Sequence, residues 1–554
     1  MRRRRAGRSA LALAAVGPLL GLLAGCASIP PAPDWAPPPA AVPAVQVGDT
    51  AAQPDGTTPP DTPAPAVGPA WGTAGAVAGF DVRMIYSADP ASPVAARWGE
   101  IPGDASFTAL LRGRIADAIA SHAAATGTPW TPSADAPAIT PDQRGCLPGS
   151  STRPVAELLA DPGLTPQGAA PGSQVLSVSC EVLAAAGGLV VQALRTVTAV
   201  DGQATSDDTT VYYVQTDADA PGGAFVTTSD GFLTDDGLRV LHGWVVQALK
   251  ISAGALRPEP TEDPTALDVA ALRASFSHLA FQSDGSLVVT LPEGFSTPEV
   301  DALAGVAHPS PFVVTVPAAE TAQLLGDQGL QVQAALGSGA AVALPAAPFR
   351  GREQVDCDFF ACVAVTFDDG PGEYTDGVLD TLDARRAAAT FFVQGYRVGG
   401  RAGTLQRMRD EGHEIGNHSW NHPDLTKLTD DEVRDQLGRT NAAIAAAVGS
   451  PATTFRPPYG AVDQRVLDLT PLPAILWTVD TNDWQLPDDA TLLDRAVGQA
   501  SPGAIVLLHD VHENTARMTP AIVDGLQGRG FTLVTVQQLL GGTLPSPHTT
   551  TSRG

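Results

Sequence analysis

The stretch that decides the fold of this 554-residue chain reads VAVTFDDGP and covers residues 363–371. Its apolar beginning predicts a buried strand, and two neighbouring carboxylates, Asp368 and Asp369, follow at the end of that strand. Both carboxylates cannot be buried without a partner, because an unpaired buried charge is costly and adjacent like charges raise each other's pKa. We therefore expect a positively charged group close to this strand end.

A second segment, GHEIGNHSWNH at residues 412–422, supplies two histidines. His418 and His422 are spaced i, i+4, so on a helical turn both imidazoles would project from one face and could share a metal ion. Taken alone, an Asp-Asp pair is usually a solvated turn, and this histidine spacing usually arises by chance. Together the two segments offer two nitrogens, one carboxylate oxygen and a spare carboxylate, with a coordination position left open as in catalytic zinc sites.

From about Cys357 to Leu540, short apolar runs alternate with helical segments. The predicted strands are residues 363–366, 389–393, 414–417, 454–456, 474–477, 504–508 and 532–535, and the predicted helices include residues 404–411, 430–448, 491–499 and 520–529. Alternation of this kind, with polar motifs at the carboxyl ends of strands, predicts an α/β barrel or a doubly wound sheet. A closed or nearly closed barrel is favoured because it brings those strand ends around one mouth.

Three further motifs follow predicted strands in the same part of the chain. RPPYG at residues 456–460 places a guanidinium just past a strand, where two prolines stiffen the backbone. DTNDW at residues 480–484 follows the next strand, and IVLLHD at residues 505–510 ends the sixth strand with a histidine. Five of the ten histidines of the chain lie between His413 and His512, so they are clustered and not evenly scattered.

In their order along the chain, these five segments resemble the signature motifs of the polysaccharide deacetylase family, which is carbohydrate esterase family 4 with its NodB-homology domain. The resemblance covers about a third of the chain, and no catalytic position is substituted. It implies an α/β fold with a deformed (β/α) barrel as the catalytic domain, at residues 355–542. It also implies that the protein is a hydrolase that acts on carbon-nitrogen bonds other than peptide bonds.

The resemblance implies a metal centre and an acid–base pair. Asp369, His418 and His422 would bind a divalent metal ion, with zinc expected and Co²⁺ or another divalent ion as the alternative. Asp368 would be the general base that activates water, and His509 would be the general acid that protonates the leaving amine. Two titratable groups with opposite roles need environments that move their pKa values apart.

The remaining matched positions would support this chemistry. Arg456 would pair with the base and keep it ionised, and Asp483 would hydrogen-bond the acid and favour its protonated form. The backbone N–H of Tyr459 would stabilise the tetrahedral oxyanion. Trp484 and Leu507 would line a small pocket sized for an acetyl methyl group, with plain packing as the alternative for Trp484.

Four cysteines other than Cys26 suggest disulfide bonds. An even number of cysteines in an exported chain indicates two disulfides among Cys146, Cys180, Cys357 and Cys362. Three connectivities are possible, and sequence proximity favours pairing the first with the second and the third with the fourth. Half of a zinc site at the Cys-x4-Cys spacing is the alternative.

The N-terminal residues predict export, and both ends of the chain predict disordered segments. Residues 1–25 have the layout of a signal peptide, with five arginines and a short apolar run. Residues 23–26, LAGC, resemble a bacterial lipobox, which implies lipidation of Cys26 and anchoring on the outer face of the cytoplasmic membrane; ordinary cleavage and secretion is the alternative. Residues 26–75 are rich in Pro and Ala and predict a disordered tether. Residues 543–554 are expected to be a disordered tail.

Residues 76–350 predict a separate α+β domain in front of the barrel. Amphipathic helical segments accompany strands that alternate like a meander, with turn residues between them. This region resembles the α+β modules that accompany some exported cell-wall enzymes, and it carries no catalytic constellation. Its role could be wall binding, spacing or regulation.

The formal net charge of −26 makes nucleic acid an unsuitable partner, because phosphate binding depends on clustered Lys and Arg. The expected function is removal of acetyl groups from N-acetylglucosamine of peptidoglycan, with N-acetylmuramic acid as the second choice. Chitooligosaccharide, a secreted exopolysaccharide and O-acetylated xylan are alternative substrates. A non-catalytic wall-binding or sensor lipoprotein and a two-His-one-carboxylate iron oxygenase are the alternatives from other classes.

Overall fold

A computed structural model describes residues 46–49, 80–134, 136, 145–217, 219, 223–252, 255, 257, 259–282, 285–292, 295–302, 312–338, 342–542 and 549–553. All of these residues belong to one compact unit, Pro43–Gly554. The predicted signal peptide, Cys26 and most of the predicted tether lie outside the described residues. Among the residues that are described, no helix combines the length and the apolar character needed to cross a membrane.

The strands follow one another along the chain as β1 (Gln46–Asp49), β2 (Asp81–Ser87), β3 (Val94–Glu100), β4 (Gln174–Ala186), β5 (Leu189–Val200), β6 (Gln203–Gln215), β7 (Phe225–Thr228), β8 (His278–Phe281), β9 (Leu287–Leu291), β10 (Phe312–Val316), β11 (Cys362–Asp368), β12 (Thr390–Val393), β13 (Glu414–Asn417), β14 (Ala474–Ile475), β15 (Val479–Asp480), β16 (Ile505–His509), β17 (Thr532–Val534) and β18 (Thr549–Thr550).

The α-helices are α1 (Ala105–Thr126), α2 (Val155–Ala160), α3 (Asp235–Ser252), α4 (Val269–Ser275), α5 (Pro298–Asp301), α6 (Ala318–Thr321), α7 (Asp327–Gly337), α8 (Thr375–Ala384), α9 (Gly395–Val398), α10 (Ala402–Asp410), α11 (Asp430–Val448), α12 (Gln464–Asp468), α13 (Asp489–Leu493), α14 (Glu513–Gly528) and α15 (Val536–Leu539). A π-helical turn, Asp494–Gly498, continues α13.

The N-terminal region has the predicted α+β character and contains two sheets. The larger sheet has the strand order β2-β3-β4-β5-β6-β7, and all of its pairs are antiparallel except β3 with β4. The smaller sheet, β1-β10-β9-β8, is antiparallel throughout. The β4–β5 turn uses Gly187 and Gly188, both with positive φ, as the meander prediction requires.

Strand β1 corrects one prediction from the sequence. Residues 26–75 were expected to form a disordered tether, but Gln46–Asp49 pairs with β10 in the register Val47–Val314. Without this pairing, one edge of β10 would present unpaired backbone groups, which a fourth strand satisfies. The composition of a Pro- and Ala-rich segment does not predict the strand β1, because the pairing with β10 joins residues far apart in sequence.

The C-terminal region is the predicted deformed barrel. Five strands form a parallel ladder in the order β13-β12-β11-β16-β15, and β17 adds a further parallel partner to β11. Single bridges link Asn417 to Phe455 and Phe455 to Ala474, so the ladder continues from β13 to β14. Strand β14 pairs in turn with β18, and Ser552 bridges Ala504 just before β16. The predicted strand 454–456 is reduced to this bridge. Parallel strands in a ring place all of their carboxyl ends at one mouth.

The two regions share a hydrophobic core. Trp98 of β3 stacks on Phe360, with ring centroids 6.0 Å apart, and Trp130 Nε1–H donates to the carbonyl of Phe359 (3.1 Å). Both phenylalanines lie in the loop that the Cys357–Cys362 disulfide closes. The N-terminal region therefore packs directly against the segment that leads into β11.

Ion pairs and disulfides reinforce this arrangement. Arg83 Nη2 lies 2.9 Å from Glu353 Oε2, and Arg386 of the barrel lies 2.5 Å from Glu353 Oε1 and 3.6 Å from Asp81 Oδ2. Charges of the N-terminal region and of the barrel are therefore paired in one network. The second disulfide joins Cys146 to Cys180 within the N-terminal region. Both disulfides have the connectivity that sequence proximity favours, and neither cysteine pair is half of a zinc site.

The predicted disordered tail is wrong for residues 549–553. Thr549–Thr550 forms β18, which runs parallel to β14, and Arg553 N–H donates to the carbonyl of Gly503 (2.9 Å). Arg553 also pairs with Asp358 (2.6 Å). These contacts join the end of the chain to the start of two barrel strands and to the disulfide loop.

Candidate active site

Strand β11 delivers two carboxylates to the mouth of the barrel. Asp368 is the last residue of the strand, and Asp369 has a positive φ of 72° before a cis Gly370–Pro371 bond. This abrupt change of backbone direction sends the two neighbouring side chains to different partners. A non-glycine residue in the left-handed region is uncommon and often marks a functional site.

His418 and His422 follow β13 in a loop, so the prediction that they share one face of a helical turn is wrong. Ser419 and His422 have positive φ angles of 64° and 65°. The Ser419 N–H donates to Asn417 Oδ1 (2.9 Å), and the His422 N–H donates to Ser419 Oγ (3.1 Å). These local side-chain bonds replace the helical backbone pattern. The two imidazoles nevertheless meet, with ring centroids 4.9 Å apart.

The three candidate ligands lie together. Asp369, His418 and His422 each offer one ligand atom, and these atoms all lie within 4.8 Å of one another. Asp369 Oδ1 is 3.5 Å from His418 Nε2 and 3.6 Å from His422 Nε2. His418 Nδ1 lies 2.7 Å from the carbonyl oxygen of Arg456, which can only accept, so Nδ1 carries the proton and Nε2 keeps its lone pair.

The charge states of this set suit a divalent cation. Burial opposes ionisation of Asp369, but the facing imidazoles of His418, His422 and His509 outweigh it and lower its pKa. Burial and the neighbouring His418 lower the pKa of His422, against the raising effect of Asp369 and Asp368. One carboxylate and two imidazole nitrogens are the donor types of a catalytic zinc site. The residues present therefore fit the metal ion that the sequence predicted.

A buried arginine holds the second carboxylate. The Arg456 side chain is fully buried, and its Nη1–H donates to Asp368 Oδ1 (2.8 Å) and to Thr366 Oγ1 (2.7 Å). Its other nitrogens donate to the carbonyls of residues 475 and 476, and its guanidinium lies 4.2 Å from the ring centroid of Phe392. The positive partner expected for this strand end is therefore present, and it is fixed by four hydrogen bonds.

Asp483 and His509 form a second pair on the same mouth. Asp483 Oδ1 lies 2.7 Å from His509 Nδ1, and Asp483 Oδ2 accepts from the His509 N–H (2.7 Å) and from Thr515 Oγ1 (2.6 Å). Burial alone would lower the pKa of His509, but the hydrogen bond and charge of Asp483, together with the nearby carboxylates of β11, raise it to about 9. The same contacts hold the pKa of Asp483 below its usual range despite burial.

These groups line one cavity of about 430 Å³. Its described walls consist of the candidate catalytic and metal-binding side chains together with neighbouring residues: Asp368, Asp369, His418, His422, Pro457, Tyr459, Trp477, Asp480, Asn482, Trp484, Leu507 and His509. Tyr459 is 72% exposed and Trp484 is 55% exposed, whereas Leu507 is buried. The Tyr459 ring also contacts His422, with centroids 4.5 Å apart. All three predicted substrate-binding residues thus reach the cavity.

Several residues at the site were not predicted from the sequence. Gln394 Nε2–H donates to Asp369 Oδ1, and Trp477 contributes to the cavity wall. Asp510 is fully buried and accepts from Thr375 Oγ1, and burial raises its pKa to about 7. The available signal was position, because Gln394 follows the carboxyl end of β12 and Asp510 follows that of β16.

Comparison with known proteins connects this geometry to a family. A family model described as polysaccharide deacetylase matches residues 359–471. Over 180 residues the chain is 43% identical to the peptidoglycan-N-acetylglucosamine deacetylase PgdA of Listeria monocytogenes, which covers 32% of this chain and 39% of that protein. Over 178 residues it is 40% identical to the peptidoglycan-N-acetylmuramic acid deacetylase PdaC of Bacillus subtilis, covering 32% of this chain and 38% of that protein.

A third relative is matched over almost its whole length. The chitooligosaccharide deacetylase of Bradyrhizobium sp. is 36% identical over 196 residues, which cover 32% of this chain and 90% of that protein. The chain spans well under half the length of the Listeria and Bacillus relatives. The match to the Bradyrhizobium protein and the family model agree with the motif residues found at the barrel mouth. The chain therefore belongs to the polysaccharide deacetylase family.

Proposed function

We propose that the barrel is a metal-dependent deacetylase that removes acetyl groups from N-acetylated sugars of an extracellular glycan, with N-acetylglucosamine of peptidoglycan as the substrate. The observation that carries this proposal is the convergence of three groups on one cavity. They are the carboxylate held by Arg456, the imidazole held by Asp483, and the three candidate ligands. A non-catalytic sensor or an iron oxygenase would leave the two acid–base pairs without a role.

Asp369, His418 and His422 would hold the divalent cation, and their donor types favour zinc. When bound, such an ion supplies Lewis-acid polarisation of the amide carbonyl and lowers the pKa of a water molecule. The tautomer of His418 is fixed by the carbonyl of Arg456, so its Nε2 is presented without a rotation of the ring.

Asp368 would be the general base. Its Oδ1 is bound by Arg456, whereas its Oδ2 lies 3.7 Å from His418 Nε2 and so faces the candidate ligands. Oδ2 would take a proton from the attacking water as the new bond forms between the water oxygen and the acetyl carbon. The guanidinium of Arg456 stabilises the ionised carboxylate and keeps it aimed.

His509 would be the general acid. Its Nδ1 is bound by Asp483, so its Nε2–H is the proton available to the cavity that His509 lines. With a pKa raised to about 9, the imidazole is protonated at neutral pH. It would give that proton to the sugar nitrogen as the carbon–nitrogen bond breaks, which releases acetate and leaves a free amine.

The cavity mouth would orient the acetylated sugar. The backbone N–H of Tyr459 is proposed as the donor to the developing oxyanion, and Leu507 and Trp484 as the apolar contacts of the acetyl methyl group. Tyr459 has a positive φ of 61°. Strain of this kind at a mouth residue is consistent with a backbone group that is held in position for binding.

The choice of polymer rests on the relatives and on the predicted route of the chain. Two relatives are named for peptidoglycan, one for N-acetylglucosamine and one for N-acetylmuramic acid, and a third for chitooligosaccharide. Export with a lipid anchor at Cys26 would bring the barrel to cell-wall glycan on the outer face of the cytoplasmic membrane. Chitooligosaccharide, an exopolysaccharide and O-acetylated xylan remain the alternatives within the same chemistry.

The test is acetate release by the purified protein, with mass spectrometry of the glycan fragments before and after treatment. We expect peptidoglycan fragments to lose acetyl groups from N-acetylglucosamine, and both Asp368→Asn and His509→Ala to lower the turnover number by about 10²-fold or more. Faster release from chitooligosaccharide or acetylated xylan would move the substrate assignment. Wild-type turnover that persists in both variants would refute the proposed roles, and the absence of acetate from every polymer would refute the function.

A further inference from the structure

Gln394 is the first residue after β12, and its side chain contacts a candidate ligand. Its Nε2–H donates to Asp369 Oδ1, the same oxygen that lies 3.5 Å from His418 Nε2 and 3.6 Å from His422 Nε2. We infer that Gln394 is a positioning residue that fixes the direction of the Asp369 carboxylate toward the divalent cation. This inference rests on the metal-dependent function proposed above.

The backbone around Gln394 already joins the two loops that carry the ligands. The N–H of Gln394 donates to the carbonyl of Gly370 (2.9 Å), on the Asp369 side. The next two N–H groups, in residues 395 and 396, donate to the carbonyls of residues 419 and 420 (3.0 and 3.1 Å), inside the histidine loop. These backbone bonds are independent of the side chain at position 394. A substitution there consequently tests the amide alone.

The amide acts on a carboxylate that needs an external constraint. Asp369 leaves β11 with a positive φ, so its side chain is not held by strand geometry. A carboxylate oxygen has more than one lone pair, and Oδ1 can accept from Gln394 while it also faces a cation. Partners of this kind orient metal ligands, and their removal typically weakens metal binding by about 10- to 100-fold.

Two observations separate this role from substrate binding and from simple packing. Among the described residues that line the active-site cavity, Gln394 is not present, so its amide does not reach the space proposed for the sugar. Gln394 is only 7% exposed, and a buried amide without a partner would be destabilising. A purely structural amide would change stability when it is replaced, but it would not change the affinity for a metal ion.

The experiment is a Zn²⁺ titration of the metal-free full chain in competition with a chromophoric chelator, without substrate. Gln394→Met keeps the length of the side chain and removes the donor, and we expect the Zn²⁺ affinity to fall by about 10- to 100-fold. The matched control is Gln406→Met, on the exposed face of α10, where the amide donates to the carbonyl of Ala447 (3.2 Å). The control should bind Zn²⁺ like the wild type.

Further measurements keep the outcome clear. Circular dichroism of both metal-free variants checks folding, and Gln394→Asn, which keeps the amide but shortens its reach, replaces Gln394→Met if that variant does not fold. Saturating Zn²⁺ should restore the turnover of the Gln394 variant. Wild-type affinity in the Gln394 variants would overturn the inference and leave the proposed function intact. A wild-type protein that binds no Zn²⁺ would instead overturn the metal-dependent function itself.

Discussion

Two histidines, one in each region, show how differently the N-terminal sheets and the barrel use the same residue type. His278 lies on β8, where burial and the charge of Arg195 lower its pKa to about 4. His509 ends β16, where burial alone would also lower the pKa, but the carboxylate of Asp483 raises it to about 9. At neutral pH the first imidazole is a neutral core group, and the second is a cation beside a cavity.

The neighbouring charge makes the difference, because burial acts in the same direction on both imidazoles and lowers the pKa of each. In the N-terminal region the arginine near the histidine is itself paired with Asp207 (2.7 Å), and that pair satisfies its own charges. In the barrel, the ion pair that the described residues form with Asp483 is the one with the His509 imidazole. A histidine in this protein is therefore a candidate for proton transfer where a buried carboxylate is hydrogen-bonded to its imidazole.

The largest expected effect separates the two histidines by activity. His509→Ala removes the proposed general acid, so we expect the turnover number to fall by about 10²- to 10⁴-fold. His278→Gln removes a neutral core group outside the cavity, and we expect the turnover of the folded protein to stay within twofold. Acetate release measured on both purified variants tests this contrast. Equal losses in the two variants would contradict the distinction between the regions.

A second prediction concerns the carboxylate that sets the pKa of His509. Because the acid must be protonated, activity should persist on the alkaline side until the pH passes the raised pKa of about 9. Asp483→Asn removes the charge that raises this pKa, so the alkaline limb of the turnover profile should move to lower pH by one unit or more. The control Thr515→Ser keeps the hydroxyl that donates to Asp483 and should keep the limb in place. If the alkaline limb of Asp483→Asn stays at the wild-type pH, a group other than His509 determines that limb.

A third prediction concerns stability and has opposite signs for the two histidines. The folded pKa of His278 is lowered from 6.5 to about 4, so the folded state binds fewer protons than the unfolded state in this range. The unfolding free energy should therefore be complete above pH 6.5 and fall by about 3 kcal/mol as the pH drops to 4. His278→Gln should lose this part of the pH dependence in urea unfolding, and an unchanged slope would contradict it.

For His509 the sign is reversed. Its folded pKa is raised from 6.5 to about 9, so its stabilising contribution is complete below pH 6.5 and is lost as the pH rises through about 9. The wild-type protein should consequently lose stability at both ends of the pH range. The loss at acid pH comes from His278 in the N-terminal region, and the loss at alkaline pH comes from His509 in the barrel.

The smallest expected effect lies at the rim of the cavity. Trp484 is more than half exposed, so Trp484→Ala should remove sugar contact without disturbing the acid–base pairs. We expect KM for peptidoglycan fragments to rise by roughly 2- to 10-fold with little change in turnover number. A large loss of turnover with unchanged KM would show that this ring contributes to the chemical step.

The sequence was sufficient to predict the barrel and its polar mouth because the informative residues sit at the carboxyl ends of apolar runs. Asp368, Arg456 and His509 each follow or end such a run, and a closed ring of parallel strands brings them together whatever the loop details. The pairing of opposite charges then follows from the cost of leaving either one buried alone.

The features that were missed or wrong depend on contacts that no local pattern contains. The i, i+4 spacing of His418 and His422 is equally compatible with a helix and with a loop, and the positive φ of Ser419 decides between them. Helix α14 begins at Glu513 and continues through Pro520, where the sequence predicted its start. The strands β1 and β18 exist because distant edges offer unpaired backbone groups, which composition does not reveal.

The disulfide loop at the start of β11 has a consequence for any shortened form of the chain. Phe359 and Phe360 rest against Trp98 and Trp130 of the N-terminal region. A protease cut that released the barrel from residue 350 onward would leave these rings facing water at the base of the strand that bears Asp368. Such a fragment would be prone to self-association. In the full chain, the N-terminal region shields these rings from water.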